Sequence, residues 1–185
     1  MKKIVISILL LWVIVGCSGK NKNHHADIVK KKASRLSSCS QPLSSYRDFK
    51  VEKMVLSNTI MEKEDKVVAA KTLENKINER IAVLVEEWKK NPKENQSGTV
   101  LIKSELHALR IVGGGARFWI GAMAGNSNIS MDLIVVDEAT GKEICKPNID
   151  MEANAMTGGW SVGATDKNLL NYIADVSAQY LKNNY

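Results

Sequence analysis

Two parts of the chain repeat apolar residues at the spacing of an amphipathic helix. Between residues 62 and 90 an apolar stripe predicts a long helix that ends before Pro92; the stripe consists of Leu73, Ile77, Ile81, Leu84, Val85 and Trp88. The stretch "TIME", residues 59–62, fits a capping box at the start of this helix. A second stripe predicts a C-terminal helix capped by Thr165; it consists of Leu169, Leu170, Ile173, Val176, Tyr180 and Leu181.

Alternation of apolar and polar residues predicts strands in the middle of the chain. A short strand of mixed face is predicted over residues 49–57, and a long strand over residues 99–112. In the long strand the apolar residues keep one phase as far as Ala108 and take the other phase from Leu109 onward. This change of phase predicts a β-bulge near Ala108.

A hairpin is predicted in the second half of the chain. Residues 129–137 alternate as a strand, and the turn "DEATGK" puts Gly141 where a positive φ is required. The return strand, residues 143–153, contains Pro147, which predicts a bulge or an edge position. Helices that cover one side of such a sheet make a layered fold. The pattern therefore predicts an α+β domain: a mainly antiparallel sheet of about four strands, with a long helix and a C-terminal helix packed on one side.

The N-terminus has the pattern of an export signal. Two lysines precede an apolar run over residues 4–15, which is shorter than the roughly 20 residues of a membrane-spanning helix and is typical of a secretory signal. The residues "IVGC" resemble a bacterial lipobox, which implies cleavage after residue 16 and acylation of Cys17, a stable membrane anchor. Ser18 then implies sorting to the outer membrane, as in enteric-type lipoproteins. The alternative is an ordinary signal peptide with a chance cysteine.

The charge is unevenly distributed along the chain. Residues 18–45 hold six basic residues against one acidic residue, whereas residues 46–185 are nearly neutral. A neutral domain lacks the basic face that nucleic-acid binding needs. We interpret residues 17–45 as the lipidated cysteine and a basic, flexible tether, and residues 46–185 as a single domain. Contact of the tether with anionic headgroups and a merely solvated linker both stay open.

Two cysteines remain once Cys17 is assigned to lipid. Cys39 and Cys145 would meet an oxidising compartment after export, where a disulfide between them is one outcome and two separate thiols are the other. A bond would tie the end of the tether to the domain.

Few side chains offer chemistry. Ser161 lies in "GWSVG", which matches the nucleophile elbow of serine hydrolases, but that mechanism needs a histidine later in the chain. The three histidines, His24, His25 and His107, all precede it. His24 and His25 are adjacent and fix no metal geometry, since structural zinc takes about four ligands at set spacing. His107 and Glu105 share a strand face, a pair that can tune a pKa but is common on surfaces. The sequence predicts no catalytic set, no metal site and no cofactor.

The glycine-rich stretch over residues 110–126 is not a nucleotide loop. A G-x-G-x-x-G pattern would need glycine where Phe118 stands, and the Gly-Lys-Ser/Thr of a P-loop is absent. Gly121 and Gly125 form G-x-x-x-G, which matters in an uninterrupted apolar helix. Arg117 argues against such a helix.

Residues 113–144, "GGGARFWIGAMAG…ISMDLIVVDEATGKEI", resemble the core of the domain-of-unknown-function 4410 family of small bacterial lipoproteins, and the similarity extends loosely over residues 46–181. A more distant resemblance, through residues 115–121 and 140–144, is to the curli-secretion pore lipoprotein. The resemblance implies a hairpin that enters the outer membrane and a barrel closed by many copies. Residues 156–168, however, are too few for that pore's second hairpin, whose two strands need about 9–11 residues each.

These observations favour a non-enzymatic, Gram-negative outer-membrane lipoprotein whose domain faces the periplasm and binds a protein partner. Arg117, Phe118 and Trp119 are the predicted interaction surface. One alternative is a subunit of an oligomeric outer-membrane secretion or assembly ring. A third hypothesis is a hydrolase that acts through Ser161.

Overall fold

The computed structural model of the protein describes residues 19–111, 127–152 and 164–185. These residues form one layer of helices and one sheet. In chain order the elements are α1 (Gly19–Ala33), a 3-10 turn (Leu43–Ser45), β1 (Asp48–Val51), β2 (Val55–Leu56), α2 (Asn58–Met61), α3 (Glu64–Lys90), β3 (Thr99–Arg110), β4 (Asn128–Asp137), β5 (Glu143–Cys145), β6 (Asn148–Glu152) and α4 (Ala164–Asn183).

The sheet confirms the predicted α+β class and corrects its details. It has six strands rather than about four, because β1 and β2 lie end to end beside β3, and β5 and β6 lie end to end beside β4. The prediction of a mainly antiparallel sheet holds for β3 to β6. Both β1 and β2 instead pair in parallel with β3, and α3 makes the crossover that parallel strands require.

A buried carboxylate explains why the predicted strand over residues 49–57 is split. Glu74, on α3, is 6% exposed, and its Oε1 accepts the backbone N–H of Met54 at 2.9 Å. Its Oε2 lies 2.7 Å from the Lys71 ammonium. The N–H of Met54 thus bonds to a helix side chain instead of to β3, and the strand is interrupted between Val51 and Val55.

The long helices carry the core as predicted. Every residue of both predicted stripes is buried, and with the inward residues of β3, β4 and β6 they form one apolar cluster. The predicted capping box is wrong. Ser57 precedes α2 and Thr59 lies inside it, whereas α3 starts only at Glu64.

The predicted boundary at residue 46 also differs from the structure, because residues 25–45 pack on the domain instead of forming a tether. Val29, Ala33 and Leu43 are buried in the core cluster. Helix α1 packs on α4: His25 contacts Asp175, and the backbone oxygen of Ile28 accepts a hydrogen bond from Tyr172. The basic, polar composition of residues 19–33 concealed this helix, since few of its side chains are apolar.

The domain has two distinct ends. At the loop end, Arg110, Asn128 and Glu152 are neighbours in register, and residues 112–126 and 153–163 connect to the elements that meet there. At the turn end lie the turn that joins β4 to β5 and the last residues of α4. The ten residues of β4 put the two ends about 30 Å apart.

Candidate functional site: the outer face of the sheet

One face of the sheet packs on the helices, and the opposite face, which we call the outer face, meets solvent. The burial pattern of β3 alternates strictly from Thr99 to Leu106, with the even-numbered residues buried and the others half-buried. The side chains of the outer face are mostly polar or charged. This face brings several ionisable side chains close together.

The predicted bulge positions a histidine on the outer face. The pairing of β3 with β4 shifts between Leu106 and Ala108, which leaves His107 as the extra residue and confirms the bulge. Bulges of this kind re-aim a side chain. Here the imidazole Nε2 of His107 lies 3.1 Å from Oδ2 of Asp132, while Glu105 pairs directly with Asp132 across the two strands.

Two residues beside β4, Lys146 and Asn148, lie against Glu105, His107 and Asp132. We call these five residues the polar cluster. The side-chain amide of Asn148 donates to Oδ1 of Asp132 at 2.7 Å. The ammonium of Lys146 lies 3.4 Å from Oδ2 of Asp132 and 3.8 Å from Oε2 of Glu105. Burial raises the pKa of Asp132, but hydrogen bonds from Asn148, His107 and Lys146 more than offset it and hold the pKa below its usual range. Asp132 is therefore ionised and fixed in orientation.

The polar cluster is built from ligand types that transition metals accept. One nitrogen from His107 and one oxygen each from Glu105 and Asp132 lie within 4.8 Å of one another. The sequence alone pointed to Glu105 and His107. It missed Asp132, Lys146 and Asn148, because their positions follow from strand register, although the alternation of Ser130, Asp132 and Ile134 along β4 signalled one shared face.

The structure brings Cys39 and Cys145 together in a disulfide, with Cα atoms 4.6 Å apart. The N–H of Cys39 donates to the side chain of Asn184 at 2.8 Å, so the bond lies where β5 meets the end of α4. The bond ties residues 25–39 to the sheet.

His25 lies on the opposite side of the domain from the polar cluster. Its Nε2 lies 2.9 Å from Oδ2 of Asp175, and Nε of Arg80 donates to Oδ1 of the same carboxylate at 2.9 Å. This arrangement joins α1, α3 and α4, so the role of His25 here is structural.

The structure confirms the hairpin turn predicted for "DEATGK", residues 137–142. Oδ1 of Asp137 accepts the N–H and the hydroxyl of Thr140 at 2.8 and 2.9 Å, and Gly141 has the expected positive φ of +69°. Tyr46 donates to the other carboxylate oxygen at 2.9 Å. Hydrogen bonds from Thr140 and Tyr46 lower the pKa of Asp137, while burial and Asp137 together raise the pKa of Tyr46 to about 12. These contacts thus fix the turn and tie it to Tyr46.

Several predicted residues lie outside the described residues: Cys17, Arg117, Phe118, Trp119 and Ser161. The flanking elements show that residues 112–126 and 153–163 both connect to the loop end. Within the described ranges, none of the helices combines the length and apolar composition needed to cross a bilayer.

The protein is thus a two-layer α+β domain, with a disulfide between Cys39 and Cys145 and a polar outer face on its sheet. The family model described as Domain of unknown function (DUF4410) matches residues 28–159, and the chain belongs to that family, as its sequence predicted. The match begins inside α1, in agreement with the packing of that helix on the domain. No curated protein matches the chain.

The solved structures that resemble this chain are distant from it. The PelC dodecamer from Paraburkholderia phytofirmans is 12% identical, with 79% of this chain and 94% of that chain covered and a TM-score of 0.42. A single-residue variant of PelC is 8% identical, with 77% and 94% covered and a TM-score of 0.41. A protein from Caulobacter crescentus CB15, provisionally described as a lipoprotein, is 12% identical, with 81% and 86% covered and a TM-score of 0.32.

Proposed function

We propose that this chain is a lipid-anchored protein of the cell envelope, held at the periplasmic side of the outer membrane through Cys17, and that its domain binds a protein partner without catalysis. The observation that carries the proposal is the disulfide between Cys39 and Cys145. Such bonds persist in oxidising compartments such as the periplasm and are rare in the cytosol. The disulfide thus supports export independently of the signal sequence.

The direction of α1 suggests how the domain is oriented on its membrane. Lys32, near the end of α1, lies 3.1 Å from Asp150 of β6, close to the loop end. His25, in the first part of α1, instead lies beside Asp175 in the middle of α4, so α1 leads away from the loop end toward its start. Since Gly19 follows Cys17 by two residues, the proposed anchor belongs on the side away from the loop end. The loop end then points away from the membrane, toward other envelope proteins.

Fractionation of cells that express Cys17→Ser tests the anchor. We expect the wild-type chain in the outer-membrane fraction with incorporated palmitate, and the variant without palmitate and outside that fraction. A matched control is Ser18→Asp, which keeps the acylated cysteine and is expected to change only the membrane in which the protein is found. Palmitate incorporation into Cys17→Ser would overturn the anchor assignment.

Photo-crosslinking in intact cells tests the partner. A photoreactive side chain at position 119, next to Arg117 and Phe118, is expected to give one discrete adduct with an envelope protein. The control is the same group at Val83, which is 65% exposed on α3 and remote from the loop end. No adduct at position 119, or the same adduct at both positions, would contradict partner binding through the predicted surface.

Equal activity of wild type and Ser161→Ala in an esterase screen is expected of a protein that is not a serine hydrolase.

One observation favours the alternative of an oligomeric ring. The sheet edge formed by β1 and β2 presents Val51 and Val55, which are 39% and 59% exposed, and an exposed apolar edge is a template for association. Light scattering on chromatographed, detergent-extracted protein discriminates: a ring gives a multiple of the chain mass that Val55→Lys reduces, whereas a monomer eliminates the ring.

A further inference from the structure

The polar cluster on the outer face breaks a rule of sheet design. Glu105 and Asp132 are directly paired across β3 and β4, and like charges in this relation destabilise a sheet. The bulge in β3 interrupts its pairing with β4 and places His107 beside Asp132. Local rules of this kind are broken mostly at functional sites, and both departures converge on one point.

We propose that Glu105, His107 and Asp132 bind a zinc ion on the outer face. Zinc accepts imidazole nitrogen and carboxylate oxygen as ligands at about 2.0–2.2 Å. The three ligand atoms, within 4.8 Å of one another, reach a common ion through small side-chain rotations. The remaining position goes to water.

Asn148 serves as a positioning residue for this site. Its amide holds Oδ1 of Asp132 at 2.7 Å, which leaves Oδ2 turned toward His107. Hydrogen bonds of this kind orient metal ligands and are important for affinity. The carboxylate is thus arranged before the ion arrives.

Lys146 takes the position of the cation in the metal-free protein. Its ammonium lies between the two carboxylates, and its side chain is 38% exposed, so it can turn toward solvent. Zinc has to displace it, which lowers the affinity. Because the outer face is an open surface rather than a cleft that excludes water, the site lacks the enclosure that ligand-binding pockets show, and no reaction is assigned to it.

Calorimetric titration of the full chain carrying Cys17→Ser with zinc chloride tests the site, with the disulfide intact so that no thiol competes. We expect one zinc ion per chain. His107→Ala should weaken binding beyond the about 10–100-fold that loss of an outer-shell partner causes. Lys146→Met should strengthen binding, because it removes the competing charge and keeps the side-chain length. A merely electrostatic patch would also respond to Lys146→Met but would tolerate His107→Ala.

The adjacent pair His24 and His25 provides the matched control, since it is the other source of imidazole in the chain. The double variant His24→Ala/His25→Ala should bind zinc as the wild type does. Circular dichroism of each variant checks that the fold is retained. The proposal is overturned if zinc binding is absent, if it survives His107→Ala, or if it is lost in the double variant. Bound cobalt in place of zinc, with a visible spectrum that disappears in His107→Ala, gives a second readout.

Discussion

Gly141 shows how a single backbone angle supports the turn between β4 and β5. Its φ of +69° lies in the left-handed region, and no atom lies within 4 Å of the place that a Cβ would occupy. A substitution therefore costs backbone strain alone. Gly141→Ala should lower the free energy of unfolding by about 1 kcal/mol, and Gly141→Asn by less, since asparagine tolerates this region. Urea denaturation measures both, and equal stability of Gly141→Ala and wild type would show that the turn does not need this angle.

Glu74 makes the stability of the domain depend on pH. Burial raises its pKa, but the hydrogen bonds from Lys71 and Met54 outweigh this and leave the pKa below its usual value. A carboxyl with a lowered folded-state pKa stabilises the fold above its unfolded pKa of about 4.3, and the stabilisation is lost as pH falls through the folded-state pKa. Glu74→Gln should therefore be less stable than wild type at pH 7, by about 1–3 kcal/mol, and this difference should shrink on acidification.

Urea denaturation at neutral and acidic pH measures the effect of Glu74. Glu87→Gln, an exposed residue on the same helix, is the control and should change stability by less than about 0.5 kcal/mol at either pH. A difference between wild type and Glu74→Gln that stays constant down to low pH would contradict the role of this carboxylate.

At the scale of elements, the disulfide joins α1 and the following segment to β5. It closes a loop with a sequence separation of 106 residues, and a loop of this length gives up to about 4–5 kcal/mol in the chain-entropy model. The double variant Cys39→Ser/Cys145→Ser should unfold at a lower temperature, by about 2–4 °C for each kcal/mol lost. Reductant should lower the wild-type midpoint to that of the variant and leave the variant unchanged. A variant as stable as wild type would show that the disulfide does not contribute to the stability of the fold.

The sequence predicted those elements in which the spacing of apolar residues shows which face is buried. The stripes of α3 and α4 are complete, and the phase change in β3 revealed its bulge. Helix α1 escaped prediction because only a few of its residues are apolar and its ion pairs, His25–Asp175 and Lys32–Asp150, join residues far apart in the sequence.

Long-range hydrogen bonds and register account for the remaining differences. The split between β1 and β2 depends on the contact of Glu74 with Met54, 20 residues apart, which no local pattern records. The polar cluster was visible only in part, since Asp132 faces Glu105 through the pairing of β3 with β4. Parallel pairing of β1 and β2 likewise depends on the α3 crossover rather than on the composition of two short strands.

At the scale of the whole molecule, α3 and α4 run parallel, as the contacts of Lys76 with Asn171 and of Arg80 with Asp175 require. The position of each residue along α3 therefore measures its distance from the turn end. Val68, near the loop end, and Lys90, at the end of the helix, are both exposed. In vesicles with acceptor-labelled lipid, a donor on Lys90→Cys should be quenched more strongly than one on Val68→Cys. Equal or reversed quenching would refute the proposed orientation.

The order of Cys17, α1 and Cys39 also has a mechanical meaning. A pull on the proposed lipid anchor would act first on α1, which a few apolar side chains and ion pairs hold on the domain. Peeling stops at Cys39, where the covalent bond to Cys145 transfers the load directly into the sheet. The released segment, extended from residue 17 to residue 39, spans roughly 75 Å. In the proposed lipid-anchored form, this segment can lengthen only as far as the disulfide, so the folded domain can move away from its anchor without the sheet being pulled apart.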